Sequence, residues 1–398
     1  MPTLLPIPSA RHAQVALPAL PPLALYVHIP WCVRKCPYCD FNSHEARADL
    51  PEQRYVAALT ADLEHALPLV WGRRVYSVFF GGGTPSLLSA RALGEILSAI
   101  RSRLPLAPDA EITLEANPGT MEARKFADFR ALGINRLSLG IQSFDPPLLK
   151  ALGRIHDERQ ARAAIEMAHA SFETFNLDLM YGLPGQTAAQ AEADIRAAIE
   201  SAPTHVSAYH LTIEPNTYFH RYPPRVPDED ACAAMQERTE ALLAQAGFTH
   251  YETSAFARPG RECRHNLNYW RFGDYLGIGA GAHSKISFHD RIVREMRFKQ
   301  PREYLARAAA GDAVQERHAI ERRELGFEFM MNALRLAEGF DVTLFAERTG
   351  LPLMAVDRPL AAAEAKGLVE RDHLHIRPTA LGRRFLNDLL QLFLPEAK

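Results

Sequence analysis

Six short apolar segments each run straight into a polar or glycine-rich turn, and this rhythm constrains the fold more than any other feature of the chain. Segments 25–29, 74–80, 111–115, 136–140, 174–179 and 205–211 are predicted strands, with a predicted helix over 54–66. Repeated strand–helix units favour parallel pairing. The first strand is followed by cysteines and the second by Gly81-Gly82-Gly83-Thr84-Pro85. The others lead to Asn117-Pro118-Gly119, Gln142, Tyr181-Gly182-Leu183-Pro184-Gly185 and Thr212. Ligands bind beyond the C-terminal strand ends of α/β barrels and open sheets. Ordinary turn chemistry accounts for one or two such loops, not for all of them. The pattern therefore predicts an α/β chain folded as a partial (β/α)6, TIM-like barrel with its chemistry at one end.

Past residue 301 the rhythm stops. Helices are expected over 322–335 and 379–393, with a short hairpin over 367–376. The expected organisation is an N-terminal extension over 1–22, a barrel with its extension over 23–300, and a smaller, mainly helical domain over 301–398. A chain of 398 residues exceeds what one core usually organises. Its net charge of -2 gives no global electrostatic reason to bind nucleic acid or a membrane surface. No stretch has the roughly 20 apolar residues of a membrane span. The proline-broken start lacks the basic head of a signal peptide. With 5 cysteines, an odd number, the expected setting is the reducing cytoplasm.

Three of those cysteines, Cys32, Cys36 and Cys39, crowd into YVHIPWCVRKCPYCDF. Closely spaced thiolates converge on soft metals such as zinc, copper or iron–sulfur iron. A structural zinc site fills four protein ligands, and no fourth cysteine follows. Three thiolates on a cubane cluster leave one iron open to a small molecule. Other strand ends offer matching chemistry. The GGGTP backbone suits phosphate or the charged ends of an amino acid, though it lacks the lysine and hydroxyl pattern of a P-loop. Glu115 suits an ammonium or ribose hydroxyls, or is simply solvated. Asp178 lies in the apolar run FNLDLMYG, where a charge needs a partner or a ligand. Gln142 and Arg154 supply donors for a carboxylate.

These motifs, in this order, resemble the radical S-adenosylmethionine superfamily, and within it the oxygen-independent coproporphyrinogen III oxidase-like proteins. The likeness runs through GGGTP, TLEANPG, RLSLGIQSF and DLMYGLPGQT to the C-terminal region. It implies a [4Fe–4S] cluster on Cys32, Cys36 and Cys39, with S-adenosyl-L-methionine on the open iron. By the same resemblance Gly82, Gly83 and Thr84 receive the methionine end and Tyr38 flanks the adenine. Glu115, Gln142, Arg154 and Asp178 complete the cofactor set, with Asp178 near the ribose. Tyr26, in a Tyr-x-His-x-Pro element with His28, lies near the cluster, and Thr212 touches the cofactor from the last strand.

One position separates this chain from the decarboxylating oxidase. Phe41 stands where the oxidase carries a further cysteine, and the arm before the cluster is abbreviated. Both features resemble a heme-chaperone branch of the family. The run Arg264-His265-Asn266-Leu267-Asn268-Tyr269-Trp270 carries the H-N-x-x-Y-W pattern associated with heme in that branch. Histidine ligates heme iron, and Tyr269 and Trp270 suit stacking on a porphyrin. Cys263 makes no heme-attachment motif with His265. The run 277–284 is expected to form a tight turn at the barrel mouth.

Two functions follow as expectations. One is a chaperone that passes heme to an apo-hemoprotein of respiration while keeping a radical cofactor site. The other is an oxidase that removes propionate carboxyls from coproporphyrinogen III. Monomer, heme-dependent dimer and peripheral association with a membrane-bound acceptor are all compatible with the sequence.

Overall fold

The computed structural model describes residues 15–46, 50–119 and 123–395. Its predicted strands alternate strictly. On one face stand Leu25, Val27, Val78, Phe80, Ile112, Leu114, Leu137, Leu139, Leu177 and Leu179, all buried in one core. On the other stand Tyr26, His28, Phe79, Thr113, Glu115, Ser138, Asn176, Asp178, Ser207 and Tyr209, which all line a single cavity. Successive side chains of a strand point to opposite faces. A sheet whose successive strands all face one cavity must curve around it, as a barrel wall does.

The strands are β1 (Leu23–Ile29), β2 (Val75–Gly82), β3 (Leu106–Ala116), β4 (Arg136–Gln142), β5 (Phe175–Tyr181) and β6 (His205–His210). Each pairs in parallel with the next. Beyond β6 lie two short antiparallel strands, β7 (Thr249–Glu252) and β8 (Ala255–Ala257), with β8 beside β6. On the far side of β1 a seventh parallel strand, β9 (Asp274–Ile278), runs into the stretch 277–284 read in the sequence as a turn. Its five residues merge into glycines, so its strand signal is faint. From β9 the sheet continues antiparallel through β10 (His283–Ser287), β11 (Ile292–Arg297) and β12 (Val314–Ala319).

The longer helices cover the apolar face: α1 (Glu52–Val70), α2 (Ala90–Arg103), α3 (Glu158–Ser171), α4 (Ala188–Glu200) and α5 (Glu229–Gln245). Leu59, Leu93, Ile165, Ile195 and Leu242 carry them into the first core. Capping boxes at Asp157 and Thr187 fix the starts of α3 and α4. The short helix α6 (Arg264–Trp270) is different, because it turns towards the polar cavity.

The change at 301 does not coincide with the boundary between cores. Helix α7 (Pro301–Ala309) sends Tyr304 and Ala308 into the first core, and β12 is an edge strand of the large sheet. The exposed polar run of β12 gives no apolar strand signal, which explains why the sequence reads as helical there. A second core starts near Ile320 and gathers Leu325, Phe329, Phe345, Leu360 and Ile376. It includes helix α8 (Leu325–Ala333) and a three-stranded sheet of Phe340–Asp341, His375–Pro378 and Val369–Arg371, the last two forming the expected hairpin. The helix expected over 379–393 is two short ones, Ala380–Arg384 and Leu386–Gln391. Of the expected 1–22 extension, 1–14 lie outside the described residues, while Val15 and Leu17 are buried in the second core. No helix among the described residues is long and apolar enough to cross a membrane.

Candidate functional site

The loop carrying the cysteines is pinned at several points. Trp31–Cys32 pairs with His44–Glu45. Asn42 Nδ2 donates to the carbonyls of Ala280 and Lys299, each at 2.9 Å. His28 reaches back with Nε2 to the Asn42 carbonyl at 2.9 Å, and Tyr26 OH lies 3.1 Å from His28 Nδ1. A carbonyl only accepts, so Nε2 bears the proton and Tyr26 donates to Nδ1. Burial pushes His28 down to about 4, which keeps this neutral tautomer. Gly281, with φ +80°, leaves room for Asn42; a Cβ there would strike its amide.

Cys32, Cys36 and Cys39 are unpaired thiols opening on a cleft of about 340 Å³. Among the described residues no three His, Cys, Asp or Glu side chains converge on a point. A single tetrahedral zinc needs such convergence, whereas a cubane meets each thiolate with a different iron. Every other cofactor residue picked from the sequence except Tyr26 and His265 also lines this cleft: Tyr38, Gly82, Gly83, Thr84, Glu115, Gln142, Arg154, Asp178 and Thr212. Six separate strand ends thus meet in one place.

The glycine run acts differently from a phosphate cradle. Gly83 N–H donates to Ile29 O at 2.8 Å, Thr84 N–H to Trp31 O at 2.7 Å and Gly82 N–H to Glu115 Oε2 at 3.2 Å. These donors are committed to the protein, so the phosphate reading falls. The run instead seats the cysteine loop: a Cβ on Gly83 would lie 2.5 Å from Trp31 O.

Electrostatics divide the cleft. Burial, then the charge of Asp178, pushes Glu115 up to about 8. Burial also raises Asp178, against bonds from Ser138 Oγ at 3.0 Å and Asn176 Nδ2 at 2.7 Å. Two carboxyls with no ion pair to a cation among the described residues make a place for positive charge. On the other wall Arg154 Nη2 donates to Asn117 Oδ1 and Gly140 O, each at 2.6 Å, while Nη1 lies 3.6 Å from Cys36 Sγ. Its Nε is buried with no partner. Carboxyl groups that attract a cation, an arginine with a spare donor and three thiols at one cleft fit a cluster bound beside a zwitterionic sulfonium. Gln142 is held at φ 68°, a left-handed backbone beyond the irregular Gly140–Gln142 register.

Next to this cleft is a larger cavity of about 890 Å³, within the range of small-molecule and cofactor sites. Gly82, Glu115, Ser138, Asp178 and Tyr209 line both spaces, as do Cys39 and Phe41. His265, Tyr269 and Trp270 come from α6, which crosses the N-terminal ends of the strands. Cys263, at the N-cap, gives α6 no capping bond from its side chain; Glu111 of β3 accepts from Arg264 N–H at 3.1 Å and His265 N–H at 3.0 Å instead. His265 is 8 % exposed, and Ser77 Oγ lies 3.1 Å from its Nδ1. Burial pushes His265 down to about 3, so the ring is neutral, the form that binds metal. Trp270 Nε1 is buried without a partner.

Sequence reading missed several lining residues. Asn117 links Arg154 to Thr84, whose Oγ1 lies 2.9 Å from Asn117 Nδ2. Ser138 and Asn176 stand four and two residues from the picked Gln142 and Asp178, so strict alternation would have found them, whereas Tyr209 stands three residues before Thr212 and has no picked neighbour on its face. Tyr209 lines both spaces, and burial among their walls pushes its hydroxyl up.

Comparison with known proteins matches this geometry. The radical SAM superfamily matches residues 26–198, and the HemN C-terminal domain matches residues 320–385, the span of the second core. The solved coproporphyrinogen III oxidase HemN of Escherichia coli, a radical SAM enzyme, superposes with a TM-score of 0.80 at 26 % identity, covering 96 % of this chain and 92 % of that one. Fold and cysteine cleft therefore define a radical SAM protein of the HemN type. The heme chaperone HemW of Escherichia coli is 48 % identical over 379 residues, covering 95 % of this chain and 99 % of that protein. HemW of Haemophilus influenzae is 46 % identical over 386 residues, covering 96 % and 100 %. The chain belongs to the HemW family.

Proposed function

We propose that the protein binds heme in the larger cavity, with His265 as an iron ligand, and delivers it to an apo-hemoprotein of respiration in the cytoplasm. The observation that carries this reading is the placement of His265, Tyr269 and Trp270 on one wall of a cavity continuous with the cysteine cleft. Ser77 engages Nδ1 and orients the ring, and burial keeps it unprotonated. Tyr269 and Tyr275, with ring centres 5.0 Å apart, add flat apolar surface.

In the cleft Cys32, Cys36 and Cys39 would hold a [4Fe–4S] cluster, which when bound would supply single-electron transfer to a sulfonium. Glu115 and Asp178 would receive the positive end of S-adenosylmethionine, Arg154 its carboxylate and Tyr38 its adenine. Committed N–H groups around Gly82–Thr84 fix the loop, and the cleft walls would limit water around a bound cofactor.

Heme titration followed by absorbance tests the reading. The parent protein is expected to give a saturable Soret shift, and His265→Ala to weaken binding at least tenfold. Equal binding by both proteins would remove His265 from the site. The fold likeness to coproporphyrinogen III oxidase favours a second reading, decarboxylation of a porphyrinogen. Anaerobic incubation of cluster-loaded protein with S-adenosylmethionine, reductant and coproporphyrinogen III decides between them. Formation of protoporphyrinogen would establish the oxidase.

A further inference from the structure

The larger cavity is lined by charges of both signs. Its acidic lining residues, Asp40, Glu115 and Asp178, all lie on the side shared with the cysteine cleft. Two of its cations, Lys35 and Lys299, stand at the mouth, where the Lys299 carbonyl also receives Asn42 of the cysteine loop. Lys35 Nζ donates only to the carbonyls of Phe41 and Ser43, at 3.3 and 3.2 Å. Neither lysine has a carboxylate within ion-pair distance among the described residues, unlike Arg294 lower in the wall, which is paired with Glu328. Two uncompensated ammonium groups at the opening of an aromatic-lined space attract a ligand carrying carboxylates at one edge.

The position of His265 supplies the second half of the argument. Its ring packs 5.0 Å from that of Phe79, three residues before Gly82 at the strand end. At about 3.3 Å per strand residue, Gly82 at the strand end lies roughly 10 Å along β2 from Phe79, the residue beside His265. That is comparable with the reach from the centre of a porphyrin to its carboxylates. Helix α6 closes the opposite end, and its buried, neutral His265 offers those carboxylates nothing.

We infer that Lys299 and Lys35 clamp the two propionate carboxylates of heme at the cavity mouth and so set its orientation, central metal inward and acidic edge outward. This rests on the heme-binding reading above. It makes the ligand a dianionic tetrapyrrole rather than any flat apolar molecule.

The test compares heme with its dimethyl ester, whose carboxylates are blocked, in parallel absorbance titrations of the intact protein at low ionic strength. The parent is expected to prefer heme by about tenfold or more, a preference that shrinks as salt is added. Lys299→Glu, an exposed substitution, should lose most of that preference by weakening heme while leaving the ester unchanged; Lys299→Arg should keep it. Equal loss of both ligands in Lys299→Glu, or an undiminished preference, overturns the clamp. If the parent binds neither ligand, the heme reading itself fails and the clamp with it. If it binds both equally, heme binding stands and the clamp alone falls.

Discussion

Glu115 shows what one residue contributes and what its sequence neighbourhood conceals. TLEANPG identifies a strand-end carboxylate, but solvation and ligand binding remain equal readings until the fold encloses it beside Asp178. Their pairing across β3 and β5 is a product of the curved sheet and has no local signature. It makes a specific prediction. An acid pushed from 4.5 to about 8 on folding is protonated in the native state while ionised in the unfolded chain. Stability from this position is therefore full below about pH 4.5 and is lost as pH rises through about 8. Glu115→Gln in the cofactor-free protein should be close to neutral at pH 5 and stabilising by up to a few kcal/mol at pH 9. Thermal unfolding across that range measures it; a difference independent of pH would mean Glu115 ionises normally. His265 was legible by type and motif, whereas its seat at the base of the barrel depends on Ser77 and Glu111, distant in sequence and unremarkable there.

At the scale of elements, the strand ends were readable because each ends a run of apolar residues, and the helices because their apolar faces repeat. The cysteine loop was readable only as a set of ligands. Its shape is imposed from outside, chiefly by Asn42, which ties it to the turn after β9 and to Lys299. Nothing in CDFNSHE marks that asparagine as an anchor. Removing two donors from partly buried carbonyls costs about 1–2 kcal/mol in all. Asn42→Ala should therefore lower the melting temperature by only a few degrees. Its larger effect should be on the loop: iron and acid-labile sulfide retained after anaerobic reconstitution should fall well below the parent's. Full retention would show that the two short strands at Trp31–Cys32 and His44–Glu45 hold the loop unaided. Edge strand β12 is the counterexample among elements. Its polar sequence follows from having solvent on most sides, so no hydrophobic pattern announces it.

Across the whole molecule, two cores share one functional wall. The first core fixes the strand ends and the cysteine loop. The second supports α6 from behind. Immediately after α6, Phe272 adopts φ 54° and buries its ring against Phe329 at 5.8 Å, with the Lys285 ammonium 4.1 Å away on its face. Arg335 stacks on Trp270 at 4.3 Å and reaches Glu252. A left-handed non-glycine residue persists only where packing over-determines it. Weakening the second core should therefore release α6 while sparing the cleft. Phe329→Ala creates a cavity in that core, and a buried Phe-to-Ala change costs about 3–5 kcal/mol. The expected outcome is a lower melting temperature and weaker heme binding, with iron and sulfide content at the cysteines unchanged at temperatures where the barrel remains folded. Parallel loss of cluster and heme would show instead that the two cores unfold as a single unit. On the heme-binding proposal, this layout would let the α6 end of the cavity yield before the cysteine cleft does. Helix α6 rests on both cores: Ser77 and Glu111 of the barrel strands hold its first turn, while Phe272 and Arg335 tie its end to the C-terminal core.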